Sequence, residues 1–364
     1  MLISQKSKEI IDSCRFCWMC RHICPIGNVT GQERNTARAR MLALSLVERG
    51  AEPLAGVADN IYECTLCGAC TRDCVTGWDP VAAVKEVRTE LAMNGETPDY
   101  IVKLIENIQE YGNVYGEKKI PTAPAKEIDS LPEKADTLLF LGRDAIYKSP
   151  ESALKAIELL KKSGIDFTVL KDEPDSGYAM EFLTGKTAEA KEIAENCAKA
   201  LNFKTVVCYD PADAKIFMRE YKEWGVNLSA KVVTFTAFVA ELIKTGNLQV
   251  KSTGGAYTVQ DCALLARDLE ETDAVREIIS ACGENREMLC FGKDTILAGN
   301  LIMNEYMPQV MNEVAAARWV NAKNMGAKVL VTESPAEYEM LKETKPEDIG
   351  LMTVEEVVLE CLQA

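Results

Sequence analysis

Two periods of hydrophobic and polar positions divide the chain. In "ERNTARARMLALSLVERG" (33–50), Ala37, Met41 and Leu44, with Ala43 and Val47 beside them, recur at helical spacing and a glycine follows. "DPVAAVKEVRTELAMNG" (79–95) opens on Asp79-Pro80, an N-cap and a first helical position, and closes on Asn94-Gly95. A further helix is expected over 98–111. Residues 112–136 carry three prolines, two glycines and many charges, and read as a linker.

Beyond residue 136 the period alternates. Short apolar, β-branched runs at 137–142, 166–170, 205–209 and 231–235 predict strands, separated by helical patterns at 150–163, 186–201, 213–224 and 236–245. The pattern recurs with expected strands at 256–260, 287–292, 328–334 and 349–354. "YDPADAKIF" (209–217) corresponds to "ESPAEYEML" (333–341), and "DSGYAMEFLTG" (175–185) to "CFGKDTILAGN" (290–300). The expected fold class is α+β overall: an all-α unit over 1–111, a linker over 112–136, and two related α/β halves over 137–250 and 251–364. "STGGAY" (252–257) precedes a strand instead of following one, so it reads as the join between repeats ahead of a phosphate loop.

The helical unit holds eight of the fourteen cysteines. Cys14, Cys17, Cys20 and Cys24, followed by Pro25, have the spacing C-x2-C-x2-C-x3-C-P, and Cys64, Cys67, Cys70 and Cys74 repeat it with Val75 in place of the proline. This is ferredoxin-type iron–sulfur spacing, in which the fourth cysteine of each run ligates the other cluster. The expected sets are Cys14, Cys17, Cys20 and Cys74 for one [4Fe–4S] cluster, and Cys64, Cys67, Cys70 and Cys24 for the second. Gly68 suits a loop whose amides approach sulfide closely. Structural zinc and buried free thiols are the competing readings; zinc sites more often pair CxxC units a dozen or more residues apart.

Phe16, Trp18 and Tyr62 are expected to shield the clusters from water. His22, the one histidine in the sequence, is expected on a solvent-facing loop, and its solitude excludes histidine-rich metal sites.

Composition narrows the classes. A formal net charge of −15 argues against nucleic acid as a partner and is read as solubility ahead of an acidic docking face for a basic redox protein. The segment "MLISQKSKEIIDSC" has no long apolar core and no stretch reaches the ~18 apolar residues of a membrane span. A cytoplasmic protein is expected, in which clustered thiols mean metal or redox chemistry.

On the two cysteine runs and on "NTARARMLAL", the chain resembles the iron–sulfur subunits of glycolate oxidase, of anaerobic glycerol-3-phosphate dehydrogenase and of heterodisulfide reductase. The resemblance implies a two-cluster ferredoxin-like domain followed by two CCG domains. It also locates departures. Where each CCG domain offers a cysteine after its first strand, a Cys-Cys-Gly and a Cys-Pro-x-Cys, the first copy has Arg143, Asp175-Ser176-Gly177 and Asp210-Pro211-Ala212-Asp213, with Cys208 out of register. The second keeps Cys262 and Cys290 but has Phe291 and Ser334-Pro335-Ala336-Glu337. Carboxylates and hydroxyls are poor ligands for such a cluster. The fold is thus expected to persist without the family's catalytic cluster. Cys262, Cys290 and Glu337 form a residual candidate for zinc or a small molecule, behind the reading of the cysteines as buried core thiols. Asp175, Asp210 and Asp213 are expected to face solvent ahead of converging on a cation.

The resulting expectation is an electron-transfer subunit of an oxidoreductase complex, itself non-catalytic, exchanging single electrons with a flavoprotein that carries FAD. A catalytic subunit reducing a disulfide or quinone at the C-terminal site, and a cluster-bearing redox sensor or scaffold, are the alternatives.

Overall fold

A computed structural model of the chain describes residues 3–14 and 17–363. The N-terminal unit is built from α1 (Gln5–Asp12), α2 (Met19–Ile23), α3 (Pro25–Thr30), α4 (Ala37–Glu48), α5 (Ala58–Tyr62), α6 (Ala69–Asp73), α7 (Pro80–Asn94) and α8 (Asp99–Tyr111). α4 buries Ala37, Met41, Leu44 and Val47, the face its spacing predicts. α7 begins where Asp79 Oδ1 accepts from the Ala82 amide at 3.3 Å and ends at Gly95, whose φ of +68° lets the chain leave the helix.

The stretch read as a linker contains a ninth helix, α9 (Thr122–Asp129), which buries Pro124 and Ile128 against the helix Pro150–Ser163. Its prolines fall at the N-cap and in the first turn, where backbone amides have no intrahelical acceptor to lose.

Eight strands form two four-stranded parallel sheets. β1 (Thr137–Phe140), β2 (Phe167–Thr168), β3 (Thr205–Cys208) and β4 (Lys231–Thr234) lie in the order β2-β1-β3-β4, and β5 (Gly255–Gln260), β6 (Gly283–Asn285), β7 (Val329–Thr332) and β8 (Gly350–Thr353) in the order β6-β5-β7-β8. Phe140 registers with Cys208 in the first sheet as Gln260 does with Thr332 in the second.

One expected strand is displaced. Residues 287–292 are a loop, and the edge strand is Gly283–Asn285. The loop is fixed by polar contacts instead of a ladder. Glu287 accepts from Arg276 Nε at 2.8 Å and the Gly292 amide donates to Asp261 at 2.7 Å, while Leu289 is left 86% exposed.

Both faces of each sheet are covered, as parallel strands require. Leu138, Phe140 and Val206 point into a core shared with α5 and α7, through Ile61, Tyr62, Val87 and Leu91. Leu139, Leu141 and Val207 point the other way, into a second core that also holds Val259, Val331 and Val357 of the C-terminal half. This alternation is the two-residue period of a strand. The carboxyl ends of the strands, where an open parallel sheet offers its binding crevice, carry the altered motifs.

Candidate metal centres

The two cysteine runs adopt the same local geometry. After the second cysteine of each comes a left-handed residue, Trp18 (φ 71°, ψ 0°) or Gly68 (φ 73°, ψ 0°), which starts a five-residue helix, α2 or α6. That helix carries the fourth cysteine a full turn away, where it leaves in extended conformation: Cys24 at φ −72°, ψ 113° and Cys74 at φ −76°, ψ 115°. Gly68 meets this backbone without strain, whereas Trp18 is a bulky residue in a region that disfavours side chains. Its ring is held under the Arg38 guanidinium, 3.9 Å from the ring centre. α2 and α6 pack together, which exchanges the fourth thiols.

One cavity is lined by Cys14, Cys17, Cys20 and Cys74, with Trp18 and Trp78 among its walls. A second is lined by Cys24, Cys64, Cys67 and Cys70, with Arg40 and Gly68. Among the described residues, neither is lined by a carboxylate or the imidazole. The donor set, soft sulfur alone, fits an iron–sulfur cluster. Burial, reinforced by neighbouring thiols, raises the Cys20 and Cys70 pKa values; burial likewise raises Cys24 against the pull of Arg40. At these three positions a bare thiolate is disfavoured unless a cation joins it. At Cys74, by contrast, burial is outweighed by hydrogen bonds from Thr76 and the Trp78 amide, which lower the pKa.

Tyr62 is buried under the second run but lines neither cavity; its hydroxyl donates to Leu183 O at 2.9 Å, making it a joint with the first α/β half. Phe16 lies outside the described residues. His22 is exposed, as expected, though on α2 and not on a loop. Val75, in the proline's place, is 82% exposed.

Sequence reasoning missed the arginines. Arg40 donates to Asn60 O at 2.9 Å and Glu63 O at 2.8 Å, Arg88 to Cys64 O at 2.6 Å and Phe182 O at 2.6 Å, and Arg267 to Cys67 O at 2.6 Å. Three guanidiniums from three parts of the chain thus hold carbonyls of the second cysteine loop and of the turn that leads into it. Arg267 reaches it from a π-helical turn, Leu264–Asp268. Arg38 and Arg40 lie in the very "NTARARMLAL" segment singled out above; Arg267 carries no local signal.

The altered motifs in the two halves are filled from within. In the first, Asp210 (3% exposed) and Asp213 (5%) are buried, and Asp175 is half-buried, so the expectation that they face solvent is corrected. Asp210 accepts from the Ala212 amide at 2.9 Å and Asp175 from the Gly177 amide at 2.8 Å. Burial drives the Asp210 and Asp213 pKa values far up, and Glu173, which accepts from the Leu141 and Gly142 amides at 2.8 Å each, is pushed up to about 7 by burial although Arg143 opposes it.

In the second half, Cys262 is buried beside Glu337 and Glu333, which with burial raise its pKa. Arg318 donates to Gln260 at 2.7 Å, and Gln260 in turn to Glu337 at 3.2 Å. Cys290 is half-buried, its carbonyl accepting from Arg318 at 3.3 Å. Among the described residues, no three His, Cys, Asp or Glu side chains converge as the ligands of a single metal ion would.

Residues 10–78 match the family described as 4Fe-4S dicluster domain. A subunit of the dihydromethanophenazine:CoB–CoM heterodisulfide reductase of Methanosarcina acetivorans is 28% identical over 304 residues, 74% of this chain and 72% of that protein. A probable membrane-anchored ferredoxin of Chromohalobacter salexigens is 25% identical over 316 residues, 75% of this chain and 47% of that protein. A hypothetical protein from Helicobacter pylori has a similar fold over 99% of this chain and 73% of its own, with a TM-score of 0.60 at 13% identity. Among the described residues no helix is long and apolar enough to cross a membrane.

Proposed function

We propose that this chain, which belongs to the family of heterodisulfide-reductase-type iron–sulfur subunits, passes single electrons between two [4Fe–4S] clusters, one on Cys14, Cys17, Cys20 and Cys74 and the other on Cys64, Cys67, Cys70 and Cys24. One observation carries the reading: each cavity takes three thiols from one run and one from the other. Bound clusters would supply one-electron chemistry. The chain's own residues bind, orient and exclude water. The α2–α6 pair fixes the two thiol sets side by side. Arg40, Arg88 and Arg267 hold the second loop and place positive charge beside it, which favours its more negative, reduced state.

The α/β halves serve as a platform for a partner, an FAD-bearing dehydrogenase subunit of a hetero-oligomeric oxidoreductase. Catalysis within the halves is disfavoured by their content: Glu337, tied to Arg318 through Gln260, and the buried Asp210 and Asp213 stand where the family's motif sets thiolates.

The test is electron exchange by the isolated, anaerobically reconstituted chain. After reduction by dithionite it is expected to return about two electrons, one per cluster, to an oxidised viologen dye and to turn over neither a disulfide nor a quinone. Steady reduction of either by the chain alone would move the chemistry to the C-terminal halves.

A further inference from the structure

The rim of the first cavity breaks the acidic character of the chain. From Ser13 to Val47 the sequence has five arginines against one glutamate, within a chain of net charge −15. Arg40 is buried at the second cavity, Arg34 is ion-paired to Glu63 and Arg38 to Glu33, and Arg21 is exposed at the rim. Two of those arginines meet at Trp18: Arg38 lies 3.9 Å and Arg21 5.6 Å from its ring centre. Trp18 and Met19 are each 41% exposed and Val75 is 82% exposed, and all three line the cavity that holds Cys14, Cys17, Cys20 and Cys74. On α4, Leu42 (48% exposed) and Leu46 (41%) follow Arg38 at four-residue intervals, so an apolar stripe continues from the rim along one helix face. Cys17 is itself exposed. Among the described residues lining the second cavity none is exposed. Its loop lies under Arg40, Arg88 and Arg267, and Tyr306 donates to Tyr62 O at 2.9 Å beside it.

An exposed apolar centre edged by Arg21 and Arg38 has the anatomy of a transient interface, and local positive charge steers an acidic partner even to an acidic protein. We infer that the Trp18–Met19–Val75 rim, extended by Leu42 and Leu46, is the docking face for a redox protein whose electron-exchanging surface is acidic around an apolar centre. This rests on the electron-transfer reading above and adds a second, transient redox protein beside the dehydrogenase seated on the α/β halves: which cluster that protein meets and what charge it presents. The choice of a protein over a lipid surface follows from position: the apolar residues surround the thiols through which electrons must pass.

Two small oxidants of opposite charge, hexacyanoferrate(III) and tris(phenanthroline)cobalt(III), test it by stopped flow on the reduced holo-chain. One electron leaves the chain and one metal(III) centre becomes metal(II) in each event. The whole-chain charge alone predicts that the anion reacts more slowly and that salt speeds it. The docking face predicts the reverse: the hexacyanoferrate rate falls roughly threefold between about 10 and about 200 mM KCl. Arg21→Glu is expected to cut that rate about tenfold at low salt and raise the cobalt rate, with unchanged cluster EPR spectra. Leu42→Glu, remote from the thiols, gives the same sign should Arg21→Glu assemble poorly.

A hexacyanoferrate rate that rises with salt and ignores both variants would overturn the docking face while leaving electron transfer intact. No exchange with either oxidant would overturn both readings. Binding to vesicles of phosphatidylcholine and phosphatidylglycerol that Arg21→Glu abolishes, with oxidant rates unaltered, would assign the face to a membrane. Concentration-dependent dimerisation lost in Leu42→Glu would assign it to a second copy.

Discussion

Arg267 donates from Nε to the backbone oxygen of Cys67 at 2.6 Å, across 200 residues of sequence. Its Nη1 holds Thr295 O at 2.8 Å as well, so one guanidinium ties the second α/β half to the second cysteine loop. A unit charge about 10 Å from a redox centre, at an effective dielectric constant of about 20, is worth about 1–2 kcal/mol, or about 40–90 mV for one electron. Arg267→Leu is expected to lower the midpoint potential of one cluster by that order and leave the other in place. EPR-monitored redox titration reads both. Equal shifts in the two, or none, would contradict the assignment of Arg267 to the second loop.

The joint between the two α/β halves predicts a pH dependence. Tyr209 donates to Glu355 Oε1 at 2.6 Å, and burial pushes the Glu355 carboxyl up to about 7 despite that bond. An acid with a folded pKa above its unfolded value binds more protons in the folded state. Its stabilisation is complete below about pH 4.5 and is lost as pH rises to about 7. Glu355→Gln keeps an acceptor for Tyr209 and removes the titration. It is expected to flatten the wild-type loss of stability across that window and to be more stable than wild type at pH 8, by about 2–3 kcal/mol. Urea titrations at several pH values check the slope; parallel curves for the two proteins would rule out Glu355 as its source.

Gly185 closes the helix Tyr178–Thr184 at φ +63°, ψ −144° and abuts α7 so tightly that a Cβ would overlap Thr89 Oγ1 and Lys85 O. Gly185→Ala therefore combines a strained backbone with a clash at the seam between the helical unit and the first half. We expect a loss of about 2–4 kcal/mol and a lower denaturation midpoint. An unchanged midpoint would show that the seam yields without cost.

What could be read from the sequence was local. The ends of α7 followed from Asp79-Pro80 and Asn94-Gly95, because caps act within one turn. Most strands of the two sheets showed themselves as apolar runs. Residues 287–292 misled because an apolar run says nothing of whether a neighbour strand is in reach; Glu287 and Gly292 instead bond Arg276 and Asp261. α9 was hidden because its prolines were weighed as breakers when they occupy the helix start. Burial of Asp210 and Asp213 depends on the close approach of the Gly142 turn and on the packing of the helix Pro211–Lys215 against the turn Leu264–Asp268 of the second half, which are tertiary facts. Arg267 could not be found at all, since nothing near it in sequence names Cys67.

The central claim is that two clusters share the two cysteine runs by exchanging their fourth ligands. Iron and sulfide content with low-temperature EPR, on wild type and on Cys24→Ala and Cys74→Ala prepared without oxygen, tests it most directly. About eight irons and a signal from two interacting clusters are expected for wild type after reduction. Cys74→Ala should impair the cluster of the Cys14–Cys20 run, and Cys24→Ala that of the Cys64–Cys70 run, each leaving about four irons. Impairment of the run that contains the substituted cysteine, or zinc with only a few irons in wild type, would contradict the account.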